Sequence, residues 1–415
     1  MVFVQPATAG FFPLDEELAL LPGQLTPHLQ EGLVRLSTHI PSFAKAATEF
    51  AYWTNVEVAR STARRLTEAA GASAVAFQSA QAEHIIKEAP PAPFAGEQVV
   101  FSVDGAMVPL LHGQWAEVRT LAVACITTEQ QADGSTHSST NELSYFSRLT
   151  DSASFSTLAT LELHQRGVEH ASQVACVVDG AEWCQSFIDL HAPQATRILD
   201  FAHAAEYVTA ICQTVREDGA LYTEAQRERL LHTLKHDGAE SVLAELRSLI
   251  STHPAPAELP KYLAYLEKRE AQMQYGEFAA QGWPLGSGMV ESANKLVVEE
   301  RLKGPGMHWS QEQVNPMLAL RNAICSDRWA EVWRQIEHDQ RCEERHRRRE
   351  RQQQRQVAHT QCSTKVSVQA VETAVATPQQ QLAARPPVSP NRSTATHPWR
   401  KPWSVRRQRE LAATA

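Results

Sequence analysis

Three carboxylates in this 415-residue chain stand where metal-assisted phosphate chemistry would need them. Asp104, in VVFSVDGAMV, and Asp179, in QVACVVDGAEW, each follow an apolar, β-branched run that reads as a buried strand. Glu291 follows a Gly286-Ser287-Gly288 turn in GSGMVESANKLVVEERLKG, in the first turn of an expected helix. Magnesium takes hard oxygen ligands, usually one or two carboxylates completed by water and phosphate oxygens. Two such ions roughly 4 Å apart activate an attacking oxygen and stabilise the leaving one in an in-line phosphoryl displacement. Strand ends suit the ligands because a sheet fixes their spacing. Gly105 and Gly180, directly behind the two aspartates, would let the chain turn and a phosphate approach.

A single Asp-Gly is an ordinary turn signal. Two of them at strand ends, with a Gly-Ser-Gly-x-x-Glu helix far downstream, form a much more specific pattern. GSGMVE is no dinucleotide fingerprint, since it lacks the third glycine and a preceding strand. No Walker motif, zinc-ligand spacing or serine-nucleophile elbow occurs.

Positioning these acids calls for a sheet. EQVVFSVDG, WAEVRTLAVACIT and NELSYFSRL read as three strands, SFSTLATLELHQRG as a helix, QVACVVDG as a strand, AEWCQSFIDLH as a helix and ATRILD as a last strand. That order is the RNase H-like one, an α/β core with a mixed sheet flanked by helices, here over residues 97–203. In it Asp104 ends the first strand, Asp179 ends the fourth, and those two strands are neighbours. Residues 204–282 read as an all-helical insertion. Residues 283–340 carry the Glu291 helix and further core helices, with Trp329 and Trp333 four apart.

Ahead of the core, residues 1–25 form a lead segment and 26–72 a helical region. Ser42 caps the helix FAKAATEFAYW, Thr54-Asn55 breaks it, and VEVARSTARRLTEAAG runs to an expected stop at Gly71. The pair resembles a helix-turn-helix whose Arg60, Arg64 and Arg65 would face DNA; a plain helical hairpin fits the same pattern. Residues 73–96, ending in PPAPFAG, read as a linker. Residues 341–415 read as a basic, low-complexity, disordered tail.

Composition is that of an ordinary globular protein, 43% hydrophobic and 21% charged. No apolar run approaches the roughly 20 residues that span a bilayer. The N-terminus lacks the basic start of a secretory signal. Seven cysteines without a CxxC pair point to reduced thiols and a cytoplasmic setting. From Arg341 onward 15 Lys and Arg stand against 5 Asp and Glu, so the remainder, with 24 basic and 42 acidic residues, carries −18. An acidic body repels phosphate and counts against a nucleic-acid enzyme unless its cations are segregated. Lys295, Arg301 and Lys303, on and just past the Glu291 helix, are the candidates for gripping DNA phosphates, with i,i+4 ion pairing as the plainer role. Glu299 and Glu300 read as a solvated face of that helix. Trp283 and Trp309, which flank it, suit core packing or base stacking.

The strings SVDGAMVPL, VVDGAEW, ILDFAHAAEY and GSGMVESANKLVVEERLKGPGMHWS resemble bacterial insertion-sequence transposases of the ISKra type, members of the DDE, RNase H-like superfamily. The similarity runs from about residue 12 to residue 328. It implies that Asp104, Asp179 and Glu291 are the catalytic triad and the ligands of two Mg²⁺ ions, with Mn²⁺ able to substitute. It also implies that Asp200 and His203 are the Asp-x-x-His motif supporting that triad. The expected activity is DNA strand cleavage by water followed by strand transfer by the 3′-OH. Its partners are double-stranded DNA, as the element's terminal repeats and as target, and further copies of the chain in a homodimer or larger assembly. The expected setting is nucleoid-associated. Similar proteins often carry a cysteine-rich, zinc-ribbon-like segment before the position of FPLDEEL, and no CxxC precedes it here. A metal-dependent nuclease on the same fold, or an inactive or repurposed DNA-binding protein, are the alternatives.

Overall fold

The computed structural model describes residues 25–93, 97–130, 136–217, 223–252 and 258–374. Most of the lead segment, the end of the expected linker and the tail from residue 375 lie outside the described residues. The chain divides into two units, Met1–His346 and Arg347–Ala415.

The first unit is built on a mixed sheet of five strands in the order β3-β2-β1-β4-β5. Strands β1 (Gln98–Pro109), β2 (Trp115–Gln130) and β3 (Thr136–Arg148) form an antiparallel meander. Strand β4 (Gln173–Val178) pairs in parallel with β1, and β5 (Thr196–Leu199) in parallel with β4. Side chains alternate across β1, whose apolar run fills both faces. Val99, Phe101 and Val103 pack on one face with Phe155 and Phe187, while Val100 joins Val177 and Ile198 on the other. β4 is apolar on both faces, and its residues 175–178 are all buried, as a central parallel strand requires.

Helices flank the sheet and precede it. Before it come α1 (Pro27–His39), α2 (Phe43–Thr54) and α3 (Arg60–Glu88). Between strands lie α4 (Ser152–Gln165) and α5 (Glu182–His191). The region read as an insertion is helical in its described parts, with α6 (Phe201–Glu217), α7 (Glu224–His236), α8 (Glu240–Thr252), α9 (Leu259–Glu267) and α10 (Tyr275–Ala280). Its Leu230, Leu243, Leu263 and Leu266 share one core with Ile198 and Leu199 of β5. The glutamate helix α11 (Gly288–Ala293) continues as a π-helical stretch over Asn294–Glu299 and a last α turn over Glu300–Leu302. Then come α12 (Gln311–Cys325) and α13 (Trp329–Ala374).

Two expectations need correction. The break at Thr54-Asn55 is present, with Asn55 in the left-handed region at φ 55°. The next helix, however, does not stop at Gly71, and residues 73–88 of the expected linker are helical. Gly71 is buried against α12, where an added Cβ would lie 2.6 Å from the carbonyl carbon and 2.8 Å from the Cα of Pro316. The glycine serves close helix packing, and its flexibility is outweighed by a buried face of Ala63, Leu66, Ala70 and Ala74. At the other end, helix α13 runs on to Ala374, well past the expected boundary at residue 341.

Gly71→Ala tests that contact. Alanine favours a helix interior by about 1 kcal/mol over glycine. Against Pro316 the net effect should be a loss of roughly 1–3 kcal/mol from overpacking, read as a lower urea midpoint at unchanged slope. A neutral or stabilised variant would refute the packing.

Candidate active site

Sheet register brings the aspartates into line. On the parallel pair β1 and β4, Phe101 lies opposite Cys176, and three residues further along each strand are Asp104 and Asp179. On β4 and β5, Val178 lies opposite Leu199, and one residue further are Asp179 and Asp200. Asp104 thus lies within β1, while Asp179 and Asp200 directly follow the ends of β4 and β5.

Asp104 does not end its strand, as the sequence suggested. β1 continues to Pro109, and Asp104 pairs with Thr120 of β2. Gly105 therefore makes no turn; it pairs with Arg119, and a Cβ there would lie 2.5 Å from Glu117 Oε1. Gly180 does turn, at φ +79°, but the groups that crowd it are Tyr265 Oη and Arg269 Nε, each 2.5 Å from where its Cβ would be.

The helix bearing Glu291 packs over the same face of β1 as Asp104. Val290, Ala293 and Val297 share a core with Ala106 and Val108. One helical turn past Glu291, the Asn294 side-chain N–H donates to Asp104 Oδ2 at 2.8 Å. Burial raises the Asp104 pKa, and the negative charges of Asp179 and Glu291 push it up further, against hydrogen bonds from the Gly105 backbone and Asn294. Glu291 itself is exposed, with Oε1 3.3 Å from Ser287 Oγ.

Asp179 accepts the Ala181 backbone N–H at 3.0 Å and lies 3.5 Å from the Cys184 thiol. Burial and then the Asp179 charge hold that thiol far above its usual pKa, so it stays protonated. The turn is clamped from α9 and its exit. Tyr265 donates its hydroxyl to the Asp179 carbonyl, and buried Arg269 donates to the Gly180 carbonyl while its guanidinium lies 3.8 Å from the Tyr265 ring centroid.

Asp200 is buried and joins two helices. Its Oδ1 accepts the backbone N–H of His203 at 2.8 Å, capping α6, and its Oδ2 accepts that of Ser287 at 2.5 Å, at the entrance to the glutamate helix. The Phe201 N–H reinforces this by donating to Leu285 O at 3.0 Å. His203 contributes its backbone here; its ring is half-buried beside Tyr207 and Tyr265.

Among the expected cations, Arg301 is a correction. It is buried, donating from Nε to Ser37 O at 3.1 Å and from Nη1 to Pro41 O at 3.3 Å, so it ties α1 and its exit to the core instead of facing DNA. Lys303 pairs with Glu299 at 2.7 Å, Lys295 is exposed, and Glu300 binds Arg321 at 2.6 Å. Arg321 also donates to the carbonyl of Leu296 inside the π-helical stretch, whose wider turn disrupts the regular ladder. Arg60, Arg64 and Arg65 are exposed near the start of α3, with Arg64 2.8 Å from Glu68. Trp283 and Trp309 are buried in the core.

Oxygen donors of this kind suit a hard cation, and the mutual repulsion felt at Asp104 is what such a cation would relieve. The acids are coupled electrostatically without forming a ligand shell: among the described residues no group of three His, Cys, Asp or Glu stands close enough to hold a metal. Asn294, Tyr265 and Arg269 were not picked out from sequence. The spacing of Glu291 and Asn294, three apart on one helix face, was the available signal for the first; nothing local links Tyr265 and Arg269 to Gly180. No protein-family model matches the chain, and no curated protein matches it. No helix among the described residues is long and apolar enough to cross a membrane.

A raised pKa in the fold means that ionising Asp104 weakens the fold. That penalty is complete above the folded-state pKa and vanishes below the ordinary carboxylate value, where both states are protonated. Asp104→Asn should therefore unfold at higher urea than wild type at pH 8, with the gap closing as the pH falls towards 4. Denaturation across that range reads it, and a variant less stable at pH 8 would contradict it.

Proposed function

We propose that this chain is a DNA transposase of the insertion-sequence type, a polynucleotidyl transferase that cuts and rejoins DNA through Asp104, Asp179 and Glu291. The observation that carries the reading is that the charges of Asp179, which follows the β4 strand paired in parallel with β1, and of Glu291 both reach the Asp104 carboxyl. The strand order β3-β2-β1-β4-β5 and the glutamate helix over β1 support an RNase H-like core. The resemblance of the four motif strings supports the choice of transposase within that class.

In this reading the three acids hold two Mg²⁺ ions, or Mn²⁺ in their place. The ions, when bound, supply the positive charge that activates the attacking oxygen and stabilises the leaving one. Asn294 orients Asp104 by its hydrogen bond, Tyr265 and Arg269 fix the backbone of the Asp179 turn, and Asp200 sets the entrance of the glutamate helix. Water cuts one strand at the element end and leaves a 3′-OH; that hydroxyl then displaces a phosphodiester of the target, expelling its 3′ oxygen. The exposed Arg60, Arg64, Arg65, Lys295 and Lys303 are the cations offered to duplex DNA. Two ends cut together call for a homodimer or larger assembly, working in the cytoplasm on nucleoid DNA.

A second reading, a DNA-binding protein without catalysis, is favoured by one observation: the acids are not gathered into a metal-binding group. Incubating the protein with Mg²⁺, pre-cut element ends and a plasmid separates the readings. Joined products are expected and identify a transposase; cutting without joining identifies a nuclease; binding alone leaves the second reading.

Asp104→Asn, Asp179→Asn and Glu291→Gln should each abolish joining while leaving the protein folded. Asn294→Ala, which keeps all three acids, should lower it about 10- to 100-fold, the usual effect of removing a group that orients a metal ligand. Joining rates measured over a Mg²⁺ titration check this, and an unaffected Asn294→Ala would remove the orienting role.

A further inference from the structure

A separate groove, of about 500 Å³, opens between residues 41–44, the first turns of α3, Leu111 in the β1–β2 turn, and residues 305–310. Its volume is that of a small-ligand site. Two of its lining residues carry buried N–H groups with no acceptor, Arg301 at Nη2 and Trp309 at Nε1. Both residues are more than nine-tenths buried, at 1% and 6% exposure. Arg301 is locked in place by the Ser37 and Pro41 carbonyls and by two rings, with its guanidinium 4.8 Å from the Phe43 centroid and 5.1 Å from that of Trp309. Buried polar atoms are nearly always satisfied, and Gln313, which also lines the groove, leaves its Oε1 without a donor, so these orphans mark a place for a ligand that offers acceptors to Arg301 and Trp309 and a donor to Gln313.

The charge of the groove narrows what those acceptors belong to. Arg60, Arg64 and Arg301 line it against one carboxylate, Glu68, which is engaged by Arg64 at 2.8 Å. Arg60 is exposed and makes no ion pair among the described residues. Leu111, Pro305 and Met307 add apolar surface. Guanidinium groups at the mouth, apolar walls and fixed N–H donors within match a ligand with an anionic end and a flat, acceptor-bearing end.

We propose that this groove binds a nucleoside phosphate, either free or as one unpaired residue of a nucleic-acid strand, with the phosphate on Arg60 and Arg64 and acceptors of the base facing Trp309 and Arg301. A paired base has its acceptor edge engaged and its faces stacked, so duplex DNA does not offer this chemistry. The proposal stands apart from the carboxylate site, because it uses none of the three acids.

The test is binding in EDTA, where no metal-dependent cutting occurs. The probes are dAMP, a short fluorescein-labelled single-stranded oligonucleotide, and the same oligonucleotide as a duplex. Saturable binding of dAMP or of the single strand is expected, and Trp309→Phe should weaken it while leaving duplex affinity unchanged. Arg60→Gln combined with Arg64→Gln, both exposed and neutral to the core, should weaken it more than tenfold. Trp309→Phe keeps a ring and deletes the N–H, and should raise the Kd roughly tenfold, as for one lost hydrogen bond; thermal unfolding verifies that each variant is folded. Binding of dAMP assigns a free nucleotide, and binding of the strand alone assigns an unpaired residue. No binding of either probe, binding that survives in both folded variants, or an equal loss of duplex affinity in Trp309→Phe overturns the proposal, whatever the joining assay shows.

Discussion

The arrangement of the carboxylate site depends on one buried carboxylate that is not among the three proposed to act. Asp200 directly follows β5, caps α6 and accepts the Ser287 N–H at the entrance to the glutamate helix. Between Asp200 and Ser287 the chain makes an excursion of five described helices, and the two oxygens of one side chain close it. Removing this buried acceptor would leave two helix-end donors unmet. The direction in which α11 leaves the sheet, and so the position of Glu291 over β1, follows from that closure.

The helical excursion is also part of the site. Tyr265 and Arg269, both from α9 and the turn after it, hold the backbone at Asp179 and Gly180. A buried guanidinium needs acceptors on several sides, and Arg269 finds them in two carbonyls and the face of Tyr265. The insertion therefore stiffens the turn that aims Asp179, a role distinct from holding DNA or a second subunit.

The strands and their order were legible in the sequence because period-two burial and β-branched runs are local signals. So was the pairing of the first strand with the fourth, since the order of elements implies which strands are neighbours. What stayed hidden was decided by distant contacts. Gly71 reads as a helix stop until Pro316 is seen against it, and Gly105 reads as a turn until Glu117 of the neighbouring strand covers it. Arg301 reads as a surface cation because it follows two glutamates, yet the carbonyls of Ser37 and Pro41, more than 250 residues earlier, draw it inward. In each case the local pattern gave a correct propensity, and packing chose against it.

Charge explains why the site is coupled and yet open. Asp104 already resists ionisation, and bringing Asp179 and Glu291 closer without a counter-charge would raise that resistance. Glu291 is exposed beside Ser287, while Asp104 is held within β1 and Asp179 in the turn that follows β4. The helix that carries the third acid is therefore the part of the site whose rigidity matters most. Its π-helical stretch, with the Leu296 carbonyl held by Arg321 and Asn294 bonded to Asp104, supplies that rigidity directly behind the glutamate.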